Sequence, residues 1–201
     1  MERQLLVDTM IFEVEPEMIQ ESIKNGNGKL IVVGPVQKAD SENFNGRSYP
    51  KVILEREVKK YLSTFVRERR ALGELDHPDS GIVTLGNTSH NVLDVWWNEN
   101  NVMAKIEILT TPAGNILKEL LKAGIRLGIS SRGLGSVKES RGGVSEVQDD
   151  FELICWDFVS NPSTPGAFMD KVVNESAGAK KQINKYAKMN HIITNILTEL
   201  K

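Results

Sequence analysis

Cysteine is nearly missing from this sequence, which has one residue, Cys155, among 201. A lone thiol excludes an internal disulfide framework and any zinc cluster built on cysteines. Its setting, FELICWDFV, is apolar, which suits a small buried hydrophobe better than a nucleophile. Surplus charge of either sign is missing as well. Lys and Arg number 25 against 27 Asp and Glu, a net charge of −2, so there is no basic footprint for nucleic acid or an anionic membrane. No apolar run approaches the roughly 18 residues that span a bilayer. The opening MERQLLVDTMIFEVEPEM is acidic and lacks the regions of a signal peptide. The expectation is a soluble intracellular protein with neither nucleic acid nor membrane as a partner.

What is present is ordinary globular material, 40% hydrophobic and 26% charged. The length suits one domain of roughly 150 to 170 residues with a tail. Residues 4–14 and 29–37 read as strands separated by the turn Lys24-Asn25-Gly26-Asn27-Gly28. Pro50 suits the first turn of a helix, on which Leu54, Val58, Tyr61, Leu62 and Phe65 recur at helical spacing. Residues 89–97 and 102–109, joined by Asn98-Glu99-Asn100-Asn101, read as a hairpin. Thr110 or Thr111 caps a second helix from Pro112, with Ile116, Leu117, Leu120 and Leu121 inward and Gly124 at its end. Residues 126–138, 144–147 and 151–159 add β segments, with Arg141-Gly142-Gly143 as a turn. About seven strands and two helices predict an α+β fold around a mainly antiparallel, barrel-like sheet. The globular part spans 1–168, a polar linker 169–188 and a C-terminal amphipathic helix 189–201.

Three short stretches can carry chemistry. His77 lies in Gly73-Glu74-Leu75-Asp76-His77-Pro78, a turn-rich acidic loop where an apolar helix has just ended. Glu74, Asp76, Asp79 and His90 leave a metal-dependent hydrolase open, although no helical HExxH pattern supports it. In Leu127-Gly128-Ile129-Ser130-Ser131-Arg132-Gly133-Leu134-Gly135, serines and glycines occupy a β run that disfavours them. Either another backbone, such as a substrate peptide, approaches there, or the strand has a bulge or turns a barrel corner. Asp157 is an acid inside an apolar segment and needs a partner. A histidine whose tautomer must be fixed is a suitable one.

GELDHP, TPAGNILKEL, LGISSRGLGSV and DFELICWDFVSNPSTPGA, in that order and with NFNGRSYP upstream, resemble the prohead core proteases of T-even-type phages. The resemblance covers roughly Asn43 to Ala167. That family is related to the herpesvirus assembly proteases, which implies a herpesvirus-protease-like fold with flanking helices and a Ser-His site needing neither cofactor nor metal. Carried over, His77 becomes the general base and Ser130 the nucleophile, with Ser131 the rival on the opposite face. Asp157 is the third member, ahead of Glu152 and Asp150.

The resemblance further implies cleavage of scaffold, major capsid and internal head proteins after glutamate, inside the prohead in the host cytoplasm. A homo-oligomer is allowed. Arg132 is the candidate receptor for the substrate glutamate, and Gly133 and Gly166 are candidate oxyanion donors. Self-processing is expected after Glu21 and Glu175. The alternative from another class is a non-catalytic scaffold or capsid-interaction protein.

Overall fold

The computed structural model describes residues 2–160 except for Glu13, Glu15, Asn27, Asp79, Arg141 and Gly142. The expected linker and C-terminal helix, with Gly166 and Glu175, lie outside the described residues. In chain order the elements are β1 (Gln4–Phe12), α1 (Pro16–Asn25), β2 (Leu30–Lys38), β3 (Arg47–Ser48), α2 (Lys51–Tyr61) and β4 (Leu72–Glu74). There follow β5 (Thr88–Asn98), β6 (Asn101–Ile108), α3 (Pro112–Lys122), β7 (Leu127–Gly135), β8 (Val137–Glu139), β9 (Ser145–Val147) and β10 (Glu152–Val159).

The strands form three sheets, ordered β1-β7-β10, β2-β6-β5-β4 and β3-β9-β8. Among the described residues every ladder is antiparallel except β3–β9. A parallel bridge, Leu75 to Phe158, links the end of β4 to β10. The α+β class holds, but the barrel-like expectation is corrected, because no ladder joins β1 to β2 among the described residues. A cleft of about 300 Å³ lies there instead, lined by Asp8–Ile11 and Val36–Lys38. Pro35 helps keep β2 an edge strand, since it has no N–H to donate and β2 shifts register just after it.

Leu54, Val58 and Tyr61 of α2 are buried, and one π turn (Leu62–Val66) prolongs the same face. Tyr61 meets Trp156 of β10 edge-on, with ring centroids 4.9 Å apart, and Phe12 meets Phe158 likewise at 5.1 Å. Emptying such a site, as in Leu54→Ala, costs about 2–5 kcal/mol. Thr111 caps α3 by accepting from the Gly114 N–H at 3.1 Å, and Gly124 leaves the helix at φ 72°. Ile116 is 56% exposed, so the inward stripe is Ala113, Leu117 and Leu121 with Leu120 beside it.

Helix α1 was not expected from the sequence. Only Ile19 and Ile23 mark its inner face among the side chains described, too thin a stripe for periodicity to separate from a strand and turn. It is held to β2 by the Ser22 hydroxyl, which donates to the Ile31 carbonyl and accepts the Ile31 N–H.

Candidate active site

The site is built on β7, the central strand of its sheet. Thr9 of β1, Ser130 of β7 and Asp157 of β10 stand directly opposite one another across the ladder. Opposed residues share a face, with β-carbons about 4.5–5.5 Å apart. Arg132, two positions along β7, and Cys155, opposite it, lie on that face too. Ser131 is turned to the other face, opposite Asp8 and Trp156, where its hydroxyl donates to the Asp8 carbonyl at 3.3 Å. Strand alternation therefore separates the two serines as expected. Only Ser130 shares a face with Asp157, and both are 0% exposed.

His77 reaches this neighbourhood on the segment that follows β4. Leu75 bridges Phe158, the Asp76 N–H donates to the Phe158 carbonyl at 2.7 Å, and the Asp76 carboxylate accepts the Ser160 N–H at 3.4 Å. Asp76 adopts φ +57°, turning the chain directly before His77. Three atoms of the expected triad are buried without a hydrogen-bond partner: Nδ1 of His77, Oγ of Ser130 and Oδ2 of Asp157. No hydrogen bond joins any two of them in this structure.

Asp157 is paired chiefly with Arg132. The guanidinium donates from Nη2 to Asp157 Oδ1 at 3.2 Å, to Glu74 Oε2 at 2.5 Å and to Cys155 Sγ at 3.1 Å. Its Nε lies 2.9 Å from Asp157 Oδ2, near enough to pair charges without hydrogen-bond alignment. Oδ1 also accepts the Glu74 N–H at 3.0 Å and the Cys155 thiol at 3.3 Å. Burial raises the Asp157 pKa, and Arg132 only partly offsets it. Burial also disfavours the Arg132 cation, but the carboxylates of Asp157 and Glu74 outweigh it and hold the guanidinium's pKa above its ordinary value. Burial, reinforced by Asp157, pushes the Cys155 thiol well up, so it acts as a neutral hydrogen-bonding group.

Several site expectations are corrected. Arg132 is not offered to a substrate glutamate, because its side chain is wholly buried and its donors are engaged inside the protein. Gly133 is paired with Leu6 and Leu153, and the Phe151 ring fills the space beside its α-carbon, where an added Cβ would lie 2.4 Å from the ring. Thr9 and Val159 fill the same space at Gly128. These glycines admit neighbouring side chains of the fold rather than a substrate backbone. The expected irregularity is real but lies on the partner strand, where β10 shifts register between Leu153 and Cys155.

The peptide bond after Glu21 lies within α1 and is not the extended segment a protease needs. Asp150 accepts both the N–H and the hydroxyl of Ser136, and Glu152, opposite Leu134 four positions along β7 from Ser130, is half-exposed and pairs with Arg3 at 3.4 Å, so neither rival to Asp157 stands opposite Ser130. His90 is not a ligand beside His77 and Asp76. It is a core residue whose Nε2 donates to the Trp156 carbonyl at 2.9 Å while Nδ1 accepts from Ser89 at 2.9 Å, the tautomer that two such partners require. Burial lowers its pKa to about 4 despite the Trp156 bond. The sequence reading missed Glu74 and Arg132 as partners. The available signal was an acid three residues before His77 and a base two after Ser130.

Residues 7–178 match the family model described as prohead core protein serine protease. A prohead core protein protease of Enterobacteria phage T4 is 36% identical over 155 residues, covering 75% of this chain and 73% of that protein. The solved structure of the bacteriophage T4 capsid assembly protease superposes with a TM-score of 0.70 at 30% identity. It covers 80% of this chain and 99% of its own. With the family model spanning most of the chain, this protein belongs to the prohead core protein serine protease family.

Proposed function

We propose that this serine protease cuts the proteins of the phage prohead by acyl transfer, with Ser130 as nucleophile, His77 as general base and Asp157 as the group that orients the imidazole. The observation that carries the reading is the ladder that sets Ser130 directly opposite Asp157 on one buried face, with Ser130 Oγ and His77 Nδ1 both buried and without a hydrogen-bond partner. A buried polar atom left unpaired costs about 1–3 kcal/mol, and a catalytic pair gives the unmet hydroxyl of Ser130 and the unmet ring nitrogen of His77 a use. In the reacting arrangement Asp157 Oδ2, which here lies 2.9 Å from Arg132 Nε, accepts the Nδ1 proton, which leaves Nε2 free to take the proton of Oγ. Catalytic hydrogen bonds are often loose before substrate binds and tighten in the complex.

In this mechanism the Ser130 oxygen attacks the scissile carbonyl carbon as its proton passes to His77. The imidazolium then returns that proton to the leaving amine. Water, deprotonated by the same imidazole, releases the acyl group and restores the hydroxyl. Asp157 stabilises the transient imidazolium. Each oxyanion donor is worth about 3–4 kcal/mol in such enzymes. Ser130 is fully covered, so acylation requires its face to open to the substrate.

The substrates under this reading are scaffold, major capsid and internal head proteins, cut after glutamate within the prohead, in the host cytoplasm. Glu175 remains the proposed self-processing site and lies outside the described residues. The test is to incubate the chain with purified prohead scaffold and capsid proteins and map new termini by mass spectrometry. New termini following glutamate, absent with Ser130→Ala, are expected. Intact substrates would favour a non-catalytic scaffold role.

A further inference from the structure

The segment that carries His77 is held down by little that is apolar. From Asp76 to Asn87 no described residue is buried. Ile82 and Leu85 are 76% and 75% exposed. Hydrophobic burial, the usual means of fixing a chain segment, is therefore weak here.

Polar anchors take its place: Asn87 closes the segment's far end by donating from Nδ2 to the Leu75 carbonyl and accepting the Leu75 N–H, and Arg132 holds its middle. Arg132 Nη1 donates to the Ser80 carbonyl at 2.8 Å and to the Ile82 carbonyl at 3.4 Å. Its Nη2 holds Glu74 Oε2, while Glu74 Oε1 accepts the Thr84 N–H at 3.1 Å. Upstream of His77 the chain is fixed to β10 through Glu74, Leu75 and Asp76. Downstream it is fixed to β7 through Ser80 and Ile82. His77 lies on the short span between the two sets of anchors.

We propose that Arg132 is a positioning residue, which pins the 74–84 segment across the Ser130 face and so sets where His77 meets the nucleophile. The proposal rests on the reading of Ser130 and His77 as the reacting pair. Arginine suits the task because its planar fork reaches two backbone carbonyls and two carboxylates at once. A lysine ammonium keeps the charge but is a single point with three donors. A displacement near 1 Å at a catalytic group costs about a hundredfold in rate.

The experiment compares wild type with Arg132→Lys by two readouts. Amide hydrogen exchange reports the segment, and the rate of labelling by a fluorophosphonate reports the nucleophile. The expected result is exchange at least tenfold faster across 76–84, with protection retained in β1, β7 and β10, and labelling slowed about a hundredfold. Unchanged exchange in the segment, or faster exchange with labelling within threefold of wild type, would overturn the proposal.

Glu74→Gln, which removes one anchor of Arg132 but keeps an oxygen for Thr84, is measured the same way in case the lysine variant does not fold. The wild type supplies a further check, since the Thr84 amide must exchange with the protected strands. Exchange at the rate of exposed loop amides would overturn the proposal whatever the variants do. Should fluorophosphonate fail to label wild-type Ser130, the reading of the nucleophile fails, while the exchange data still judge the anchoring.

Discussion

His90 gives a stability prediction whose size follows from its surroundings. The ring is 0% exposed, packs edge-on against Phe158 with centroids 4.9 Å apart, and has no acid among its hydrogen-bond partners. Its pKa falls from an ordinary 6.5 to about 4 because burial penalises the cation. Between those values the unfolded chain takes up a proton that the folded chain refuses. This contribution to stability is therefore full above pH 6.5, falls as the pH descends through the window and is fully lost below about 4. A gap of about 2.5 pH units at 1.36 kcal/mol each amounts to about 3 kcal/mol, of which about 2 is lost by pH 5. Asp157 runs the other way, since its raised pKa makes the folded state less stable as pH rises through its window. It is common to both chains and cancels in a comparison. The perturbation is His90→Gln, whose amide nitrogen can still donate to the Trp156 carbonyl. Urea unfolding at pH 7.5 and pH 5 should show wild type losing about 2 kcal/mol more than the variant. Equal losses would refute the buried neutral imidazole and reopen His90 as a site residue.

Ser130→Ala should abolish cleavage and leave the fold intact, whereas Ser131→Ala should remain active and lose about 1 kcal/mol in urea unfolding, the worth of one hydrogen bond. Asp157→Asn should lower turnover by about four orders of magnitude. It should also destabilise the chain by about 3 kcal/mol, because it leaves Arg132 short of a buried counter-charge. Denaturant midpoints measured beside initial rates separate those two effects. Gly73→Ala would put a Cβ 2.2 Å from the Trp156 carbonyl and 2.3 Å from His90 Nε2. An unfolding midpoint lowered by the equivalent of about 1–3 kcal/mol is expected from that overpacking.

Much of the fold was legible because its signals are local. Thr111-Pro112 announces a capped helix start, and the β5–β6 hairpin and the apolar stripe of α2 were each readable within a dozen residues. Helix α1 was not, because two isoleucines do not define a period. Barrel closure was not either, because whether the neighbouring strands β1 and β2 form a ladder or leave a cleft depends on the sheets to which each belongs. At the site, alternation along β7 put Ser130 and Ser131 on opposite faces from sequence alone. The burial of Arg132 was illegible for the opposite reason. Whether a charged strand residue faces solvent or two carboxylates is decided by Glu74 and Asp157, 58 and 25 residues away.

The central claim, that Ser130 is the activated nucleophile, is tested most directly by reacting the wild-type chain with a fluorophosphonate and mapping the adduct by tandem mass spectrometry. A single adduct on Ser130, lost in His77→Ala, is the predicted result. An adduct on Ser131, or full proteolytic activity with Ser130 left unmodified, would contradict it.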